Sequence, residues 1–364
     1  MSKIKILMIP DYRRVNPYQK LLSDSIFQSD INVLFPKKRY IFFPLLRNLM
    51  KYNFNILHLH WIHEFAGFRF RFSLITLLKS ISFLIDLVIT RLIFRYKIVW
   101  TIHNIVSHDL KHPFLEKTIR KIFFKFTDSI IVHCRKAKEI LNYIYQLEKK
   151  IWVIPHGNYI DSYKNDISKM KARKRLKLDM NDFVYLFFGR IKPYKGVISL
   201  IREFKSLKFD RRNKLLIIGK PNSNEIKSNI LNEIGNSDNI FYNFNYIKNE
   251  DVQIFMNSSD IVVLPYKKIL TSGEVILALS FGKTIITPKL GCIPDLLDEN
   301  SAFLYNPKNK NALRNIISKV NKNREKIVEM ENYNKELVKK YDWEKIANKY
   351  VVLYKSLNYE HILH

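Results

Sequence analysis

The stretch that decides the fold reads Phe187-Phe188-Gly189-Arg190-Ile191-Lys192-Pro193-Tyr194-Lys195-Gly196. The apolar run from Phe183 to Phe188 predicts a buried strand, and the residues from Val197 onward predict a helix. A strand, a glycine turn and a helix start form the phosphate sites of α/β proteins, because the N–H groups at a helix start attract anions. Arg190 can bind two phosphate oxygens at once, and Lys195 adds a point charge. The competing interpretation is a solvated basic loop.

Short apolar runs alternate with helical patterns along the whole chain, which predicts parallel sheets covered by helices on both faces. We therefore expect an α/β protein with two doubly wound, Rossmann-like domains. The expected strands are Ile4–Ile9, Ile31–Phe35, Ile56–His60, Ile98–Ile102, Ser129–His133, Ile151–Ile154, Phe183–Phe188, Lys214–Ile218, Ile240–Phe244, Ile261–Leu264, Thr284–Thr287 and Ala302–Tyr305. Helices are expected at Lys136–Leu147, Asn249–Met256 and Asn311–Val320.

The length of 364 residues exceeds what one core usually serves, which also predicts two domains. We expect the boundary in the polar, lysine-rich segment from Tyr159 to Leu178, with an amino-terminal domain at 1–163 and a carboxyl-terminal domain at 164–340. Residues 341–364 predict a final helix, because apolar side chains recur at helical spacing. Asp342 is its expected cap.

The formal net charge of +29 and the isoelectric point near 9.8 indicate a polyanionic partner. Nucleic acid, an anionic membrane and a phosphorylated substrate all fit this charge. The sequence carries no recognised nucleic-acid-binding signature, so we expect no specific nucleic acid. A basic binding protein without catalysis is the main alternative function.

The segment from Phe72 to Phe94 is strongly apolar, but Lys79, Asp86 and Arg91 interrupt it, so we expect an amphipathic or core helix instead of a spanning one. Together with the basic, aromatic segment Pro36–Arg47, it predicts contact with an anionic membrane surface. A core helix with solvated ends is the competing interpretation. The first residues lead straight into a strand without a signal-peptide h-region, from which we expect a cytoplasmic protein, peripheral on the inner face of the membrane.

Three further strand ends in the second half carry small, cationic or aromatic residues. These residues are Gly219, Lys220, Tyr246, Ile247, Ser272, Gly273 and Glu274. Ligands of open α/β sheets bind outside the carboxyl ends of the strands, so these positions predict one nucleoside diphosphate pocket with Arg190 and Lys195. Taken singly, each position is also explained as a turn, a helix cap or a core residue.

At these positions the chain resembles the glycosyl transferases group 1 members of the GT-B superfamily. The similar segments are Ile154–Asn158, Gly189–Gly196, Asp260–Pro265, Ala278–Lys283 and Gly291–Leu296. The resemblance implies two Rossmann-like domains facing across a cleft, with the last helix crossing back to the amino-terminal domain. It also implies that Arg190 and Lys195 bind the diphosphate of the sugar donor. The loop Ser272–Glu274 would donate backbone N–H hydrogen bonds to the same diphosphate.

The chain departs from that family at one point. Many retaining members carry two glutamates around this loop, but Ile269 and Leu277 stand at the corresponding positions, and Glu274 is out of register. The loop resembles that of inverting polyprenol-linked β-mannosyltransferases and exopolysaccharide β-glycosyltransferases. The resemblance therefore implies an inverting transfer from a UDP- or GDP-linked sugar to a lipid-linked saccharide, such as a polyprenyl-diphosphate-linked one. A retaining enzyme or an inactive scaffold of the same fold are the alternatives.

An inverting transfer needs a general base on the acceptor hydroxyl and positive charge or N–H groups for the departing diphosphate. The candidate bases are Asp11, Glu64 and His103, each on a loop that follows a strand of the first half. The resemblance matches His103 to a histidine beside the donor sugar, and Asp11 to the position of a base or its partner. The choice among the three stays open, and Asp11 is equally explained as a turn residue.

Three neighbouring histidines, His58, His60 and His63, form a pattern that could indicate a metal. On a strand His58 and His60 share one face, but no nearby cysteine or histidine completes a tetrahedral set. The GT-B resemblance implies enzymes that generally work without a bound metal. We expect no metal and no cofactor, with the nucleotide sugar serving as substrate.

Overall fold

The structure is a computed structural model that describes residues 4–14, 16–27, 30–36, 40, 42–66, 73–94, 96–105, 112–147 and 149–362. The chain divides into two compact units. The first unit comprises Met1–Gly157 together with Asp342–His364, and the second comprises Asn158–Tyr341.

The first unit contains a six-stranded sheet in which every strand pair is parallel. Its strands are β1 (Ile4–Ile9), β2 (Ile31–Leu34), β3 (Ile56–Leu59), β4 (Lys97–Thr101), β5 (Ser129–Val132) and β6 (Ile151–Val153), in the order β2-β1-β3-β4-β5-β6. Its helices are α1 (Pro17–Ile26), α2 (Pro44–Leu49), α3 (Ser73–Ile93), α4 (Pro113–Phe126), α5 (Arg135–Tyr145) and, from the end of the chain, α14 (Trp343–Ile362).

Helix α14 packs into the core of the first unit, so the predicted return of the last helix to the amino-terminal part is confirmed. The hydroxyls of Tyr350 and Tyr18 lie 2.7 Å apart, and the Tyr354 hydroxyl lies 2.7 Å from His58 Nδ1. Asp342 accepts a hydrogen bond from the backbone N–H of Glu344 at 2.9 Å, as expected of a cap.

The second unit contains another six-stranded, all-parallel sheet, in the order β12-β11-β10-β7-β8-β9. Its strands are β7 (Phe183–Phe188), β8 (Asn213–Ile218), β9 (Ile240–Asn243), β10 (Ile261–Val263), β11 (Ile285–Pro288) and β12 (Ala302–Tyr305). Its helices are α6 (Lys169–Arg175), α7 (Val197–Ser206), α8 (Asn224–Ile234), α9 (Val252–Ser258), α10 (Gly273–Ser280), α11 (Ile293–Leu296), α12 (Ala312–Lys322) and α13 (Glu325–Leu337). Strand β7 is buried along its whole length because helices cover both faces.

The predicted α/β class with two doubly wound units is confirmed, and all twelve expected strands occur with bounds that differ by at most one residue. The helix expected at Asn249–Met256 differs in one respect. It opens with a 3-10 turn at Asn249–Asp251, and α9 follows from Val252 to Ser258. Such turns are frequent at helix starts.

The apolar segment of the first unit forms helix α3, which buries one face and exposes another. Asp86 on its buried face accepts hydrogen bonds from Leu45 N (2.6 Å) and Leu46 N (2.9 Å), so its carboxylate caps α2. Within the described residues, no helix has both the length and the apolarity needed to cross a membrane. The basic residues Lys37, Lys38, Arg39, Arg69, Arg71 and Arg95 lie outside the described ranges.

Candidate functional site

In the second unit, the turns after β7 and β8 touch each other through their backbones. Gly189 N donates to Ile218 O at 3.0 Å, and Gly219 N donates to Asn243 O at 2.8 Å. Gly219 has a φ of +137°, and a Cβ atom there would lie 2.1 Å from the carbonyl oxygen of Gly189. Only glycine permits this approach, which brings the two strand-end loops together.

The two predicted phosphate-binding cations, Arg190 and Lys195, lie in different environments. Arg190 is exposed and, within the described part of the chain, has no hydrogen-bond or ion-pair partner. The Lys195 side chain is only 4% exposed, and its ammonium group forms an ion pair with Glu274 Oε1. Lys220 lies exposed on the adjoining loop. Arg190 is therefore available to an anion, whereas Lys195 already contacts one.

Helix α10 begins at the same edge of the sheet, and a small hydroxyl cluster surrounds its start. Ser272 Oγ accepts a hydrogen bond from Val275 N at 3.2 Å, which makes Ser272 the N-cap. The Tyr266 hydroxyl lies 2.6 Å from Ser272 Oγ and donates to Glu274 Oε2 at 3.3 Å. The structure thus brings Lys195, Ser272, Gly273 and Glu274 together. Their contact with a donor diphosphate stays a prediction.

The charge of Glu274 is set by two opposing effects. Burial raises the pKa of this carboxyl. The charge of the Lys195 ammonium and its hydrogen bond lower the pKa by more in total, so the pKa of Glu274 lies below the usual value. Burial, followed by the negative charge of Glu274, raises the pKa of Tyr266 well above its usual value. At neutral pH Glu274 is therefore a carboxylate and Tyr266 a neutral phenol.

Tyr246 and Ile247 lie on the loop after β9, the edge strand next to β8. The Tyr246 side chain is 72% exposed, and Ile247 is half-buried. Among the described residues, no hydrogen bond or ring contact joins either of them to Lys195 or Ser272. Their predicted contact with a donor stays a prediction.

In the first unit, Asp11 directly follows the turn after β1. Buried Gln19 shapes this turn, because its amide donates to Pro10 O at 2.9 Å and accepts from Tyr12 N at 2.7 Å. Asp11 forms two side-chain hydrogen bonds with Arg13, at 3.0 and 2.9 Å. This bond to Asp11 raises the pKa of Arg13 above its usual value.

Asp11 also lines an open pocket of about 770 Å³ in the first unit. The lining combines the cations Arg13, Arg14 and Lys20 with the aromatic rings of Phe35, Tyr40 and Phe65. A pocket of this volume accommodates a small-molecule ligand. The mixed lining fits a ligand that has both anionic and apolar parts.

The other two candidate bases, Glu64 and His103, are connected to the loop of Asp11 by the aromatic side chains of Tyr12 and Trp61. The Tyr12 hydroxyl donates to Glu64 Oε1. The ring of Tyr12 contacts Trp61 edge-on at 4.9 Å, and Trp61 stacks on His103 at 4.5 Å. Neither Glu64 nor His103 lines the pocket that contains Asp11.

His103 is the centre of a chain of three buried histidines. His133 Nδ1 lies 2.9 Å from the Ile154 carbonyl oxygen, and its Nε2 lies 3.2 Å from His103 Nδ1. His103 Nε2 in turn lies 3.1 Å from His60 Nδ1. Because the carbonyl can only accept, we assign a proton to the Nδ1 of each ring, which leaves all three neutral. Both ring nitrogens of His103 are therefore occupied.

The sequence did not predict His133, His156 or Tyr18 as parts of this cluster. The Tyr18 ring contacts those of His60, His103, His133 and His156, with centroids 4.8–5.7 Å apart. His133 follows β5 at the same sheet edge as His103 follows β4, so the strand-end rule could have identified it. Within the described residues, no three His, Cys, Asp or Glu side chains form a group that could bind a metal.

Comparisons with known proteins identify one family. The family model for glycosyl transferases group 1 matches residues 168–349. The chain is 25% identical over 219 residues to lipopolysaccharide 1,2-N-acetylglucosaminetransferase of Salmonella typhimurium, with 54% of each chain covered. It is 28% identical over 155 residues to GDP-mannose:glycolipid 4-beta-D-mannosyltransferase of Xanthomonas campestris, with 42% of each covered. The chain thus spans about half the length of these relatives.

Solved structures share the fold over nearly the whole chain. Sucrose-phosphate synthase from Thermosynechococcus elongatus gives a TM-score of 0.78 at 15% identity, covering 98% of this chain and 100% of that one. Anabaena HepE in complex with UDP-glucose gives 0.70 at 17% identity, with 97% and 100% covered. These similarities independently support the two-sheet α/β fold.

The buried histidines predict a loss of stability in acid. Burial lowers the pKa of His58 and His156 to about 3, that of His133 to about 4, and those of His60 and His103 well below 6.5. Because the unfolded chain binds these protons more tightly, the full stability is present above pH 6.5 and is lost as the pH falls below it. Each histidine contributes up to about 1.4 kcal/mol per pH unit.

All four tryptophans lie in the first unit, so their fluorescence reports its unfolding. We expect the urea midpoint followed by this fluorescence to drop steeply between about pH 6.5 and about pH 5. A midpoint that stays constant over this window would contradict the assignment of neutral, buried histidines.

Proposed function

This chain belongs to the glycosyl transferases group 1 family, and from that premise we propose that it transfers a sugar from a nucleoside diphosphate donor to a lipid-linked saccharide acceptor in surface polysaccharide biosynthesis. The proposal rests on the groups that lie together at one edge of the sheet in the second unit. There Arg190, Lys195 and the start of α10 follow neighbouring parallel strands. Cations and helix N–H groups at one point form a site for a diphosphate.

The donor belongs to the second unit in this proposal. Arg190 offers a free guanidinium fork, and Ser272 and Gly273 open helix α10 beside Lys195. One structural neighbour is described in complex with UDP-glucose, and one relative is named for GDP-mannose, which supports a UDP- or GDP-linked sugar. When the glycosidic bond to the donor breaks, the same cations stabilise the charge of the departing diphosphate.

The acceptor belongs to the pocket of the first unit. Its cations, Arg13, Arg14 and Lys20, fit a phosphate or diphosphate, and its aromatic rings fit the face of a sugar or the start of a lipid chain. The relatives are named for lipopolysaccharide and glycolipid substrates, which supports a lipid-linked saccharide, such as one on a polyprenyl diphosphate.

We infer that Asp11 is the general base of an inverting, metal-independent transfer. Of the three candidates, only Asp11 lines the pocket. The carboxylate would take the proton of the acceptor hydroxyl as that oxygen attacks the anomeric carbon from the side opposite the diphosphate.

Helix α3 supports a peripheral position on the inner face of the cell membrane. Several of its large apolar side chains are exposed, including Leu74 (65%), Leu78 (57%) and Ile85 (45%). A lipid surface would cover them, and the net charge of +29 would attract the protein to an anionic leaflet.

Replacement of Arg190 by alanine tests the donor site. The Arg190 side chain is exposed and forms no hydrogen bond or ion pair with the described residues. We therefore expect Arg190→Ala to keep its melting temperature and to weaken UDP or GDP binding by about tenfold or more, measured by calorimetry. Arg211→Ala is the matched control, because Arg211 is 89% exposed and lies at the opposite, amino-terminal end of β8. Equal affinity in both variants would contradict the assigned donor site.

Replacement of Asp11 by asparagine tests the base. We expect the turnover of Asp11→Asn to fall by about 100-fold or more while donor affinity stays unchanged, because the amide cannot accept the proton. Asp24 provides the control, since it lines the same pocket and also pairs with a cation, Lys20. If the turnover of Asp11→Asn equals that of Asp24→Asn, Asp11 is not the base.

Polar substitutions on α3 test membrane contact. We expect the double variant Leu78→Gln with Ile85→Gln to sediment less with vesicles containing phosphatidylglycerol, because it removes two exposed apolar side chains. Met180→Gln changes a residue of similar exposure (53%) in the second unit and should sediment like the original protein. Unchanged sedimentation of the double variant would rule out this surface.

A further inference from the structure

The Glu274 carboxylate lies next to three polar groups at the proposed diphosphate site. Oε1 forms an ion pair with the buried ammonium of Lys195. Oε2 lies 3.3 Å from the Tyr266 hydroxyl and 3.4 Å from Ser272 Oγ. Because the two hydroxyls share one proton at 2.6 Å, only one hydroxyl proton remains for the carboxylate. The ammonium and this hydroxyl form an anion site that is filled by a side chain of the chain itself.

Glu274 also fills the space beside the glycine turn. A Cβ atom added at Gly189 would lie 2.9 Å from both Cγ and Oε1 of Glu274. The absence of a side chain at this position leaves room for an anion beside the backbone that precedes Arg190. In the described structure the carboxylate of Glu274 takes that room.

The lysine side of this ion pair is fixed. Gly196 has a φ of +72°, and a Cβ there would lie 2.1 Å from the carbonyl oxygen of Pro265. Lys267 N donates to Tyr194 O at 2.7 Å, which fastens the same turn to the segment after β10. Lys195 therefore has little freedom to move its backbone.

The glutamate side is less constrained than the lysine side. Glu274 is the second residue of α10, and its side chain is 26% exposed. It has three rotatable side-chain bonds, so the carboxylate can turn toward solvent without any change in the helix. An exchange of anions at Lys195 would then require movement of Glu274 alone.

We propose that Glu274 is an internal substitute for the donor diphosphate: its carboxylate pairs with Lys195 before the nucleotide sugar binds and is displaced when it binds. The inference rests on the proposed function, because it takes Lys195 as a ligand of the diphosphate. Glu274 is a positioning residue, since its carboxylate acts on the donor through Lys195. The carboxylate itself does not ligate the donor.

The displacement has a consequence for turnover. A bound diphosphate and the Glu274 carboxylate carry like charges and compete for one ammonium group. Glu274 therefore lowers the affinity for the donor and for the nucleoside diphosphate product alike. After transfer, the return of the carboxylate to Lys195 promotes release of the product.

The variant Glu274→Gln tests this inference, because glutamine keeps the shape and loses the charge. We expect Glu274→Gln to bind UDP or GDP about tenfold more tightly than the original protein in calorimetry. Its melting temperature without nucleotide should fall, since the buried Lys195 ammonium loses its counter-charge. The nucleotide should restore that stability by binding only the folded state.

The Lys283–Glu331 pair provides a matched control in the same unit. Its side chains are 10% and 24% exposed, close to the 4% and 26% of Lys195 and Glu274, and its ion pair is 2.8 Å long. Glu331→Gln should lower the melting temperature in the same way but leave nucleotide affinity unchanged. A second variant, Glu274→Ala, should bind as tightly as Glu274→Gln if charge is the cause.

Weaker or unchanged nucleotide binding by both Glu274 variants would overturn the inference, because Glu274 would then support the donor or have no effect on it. Failure of the proposed function itself would give another result, namely no nucleotide binding by any of the proteins. If neither UDP nor GDP binds to the original protein, to Glu331→Gln or to the Glu274 variants, the site is not a nucleoside diphosphate site, and the inference falls with it.

Discussion

The candidate donor site depends on the close contact between the backbones of two parallel strands where they leave the sheet. Gly219 approaches the Gly189 carbonyl so closely that a Cβ atom would lie 2.1 Å from it. Because all six strands of the second unit run parallel, their following loops emerge at one edge. The glycine contact brings two of these loops together. Arg190 and Lys195 follow directly, on the loop that also meets the segment before α10.

Two buried clusters stabilise their titratable groups in opposite ways. The histidine cluster of the first unit is neutral, and each proton in the chain from His60 to the Ile154 carbonyl has one acceptor. The cluster at the start of α10 in the second unit contains a charged pair, Lys195 with Glu274. A neutral chain is disrupted by protonation, whereas a charged pair can exchange one anion for another. The pair is therefore the arrangement suited to reversible binding of an anionic substrate.

The sequence predicted the architecture because strand and helix signals are local. Buried parallel strands appear as uninterrupted apolar runs such as Phe183–Phe188, so the twelve strands were found nearly to the residue. The strand-end rule also placed Lys195 and Ser272 at one sheet edge, where both lie in the structure. The sequence could not show that Glu274 lies on Lys195, since these residues are 79 positions apart and their contact depends on loop path and rotamer. The same limit applies to His133 and Tyr18, whose roles arise only from long-range packing.

Hydrogen–deuterium exchange with and without UDP or GDP tests the central claim most directly, since it locates the bound diphosphate on the backbone. We predict slower exchange in peptides that cover residues 189–196, 219–222 and 272–276, because the diphosphate would contact these loops and reduce their opening. No change in these peptides, or protection confined to the first unit, would contradict a donor site at the carboxyl edge of the second sheet.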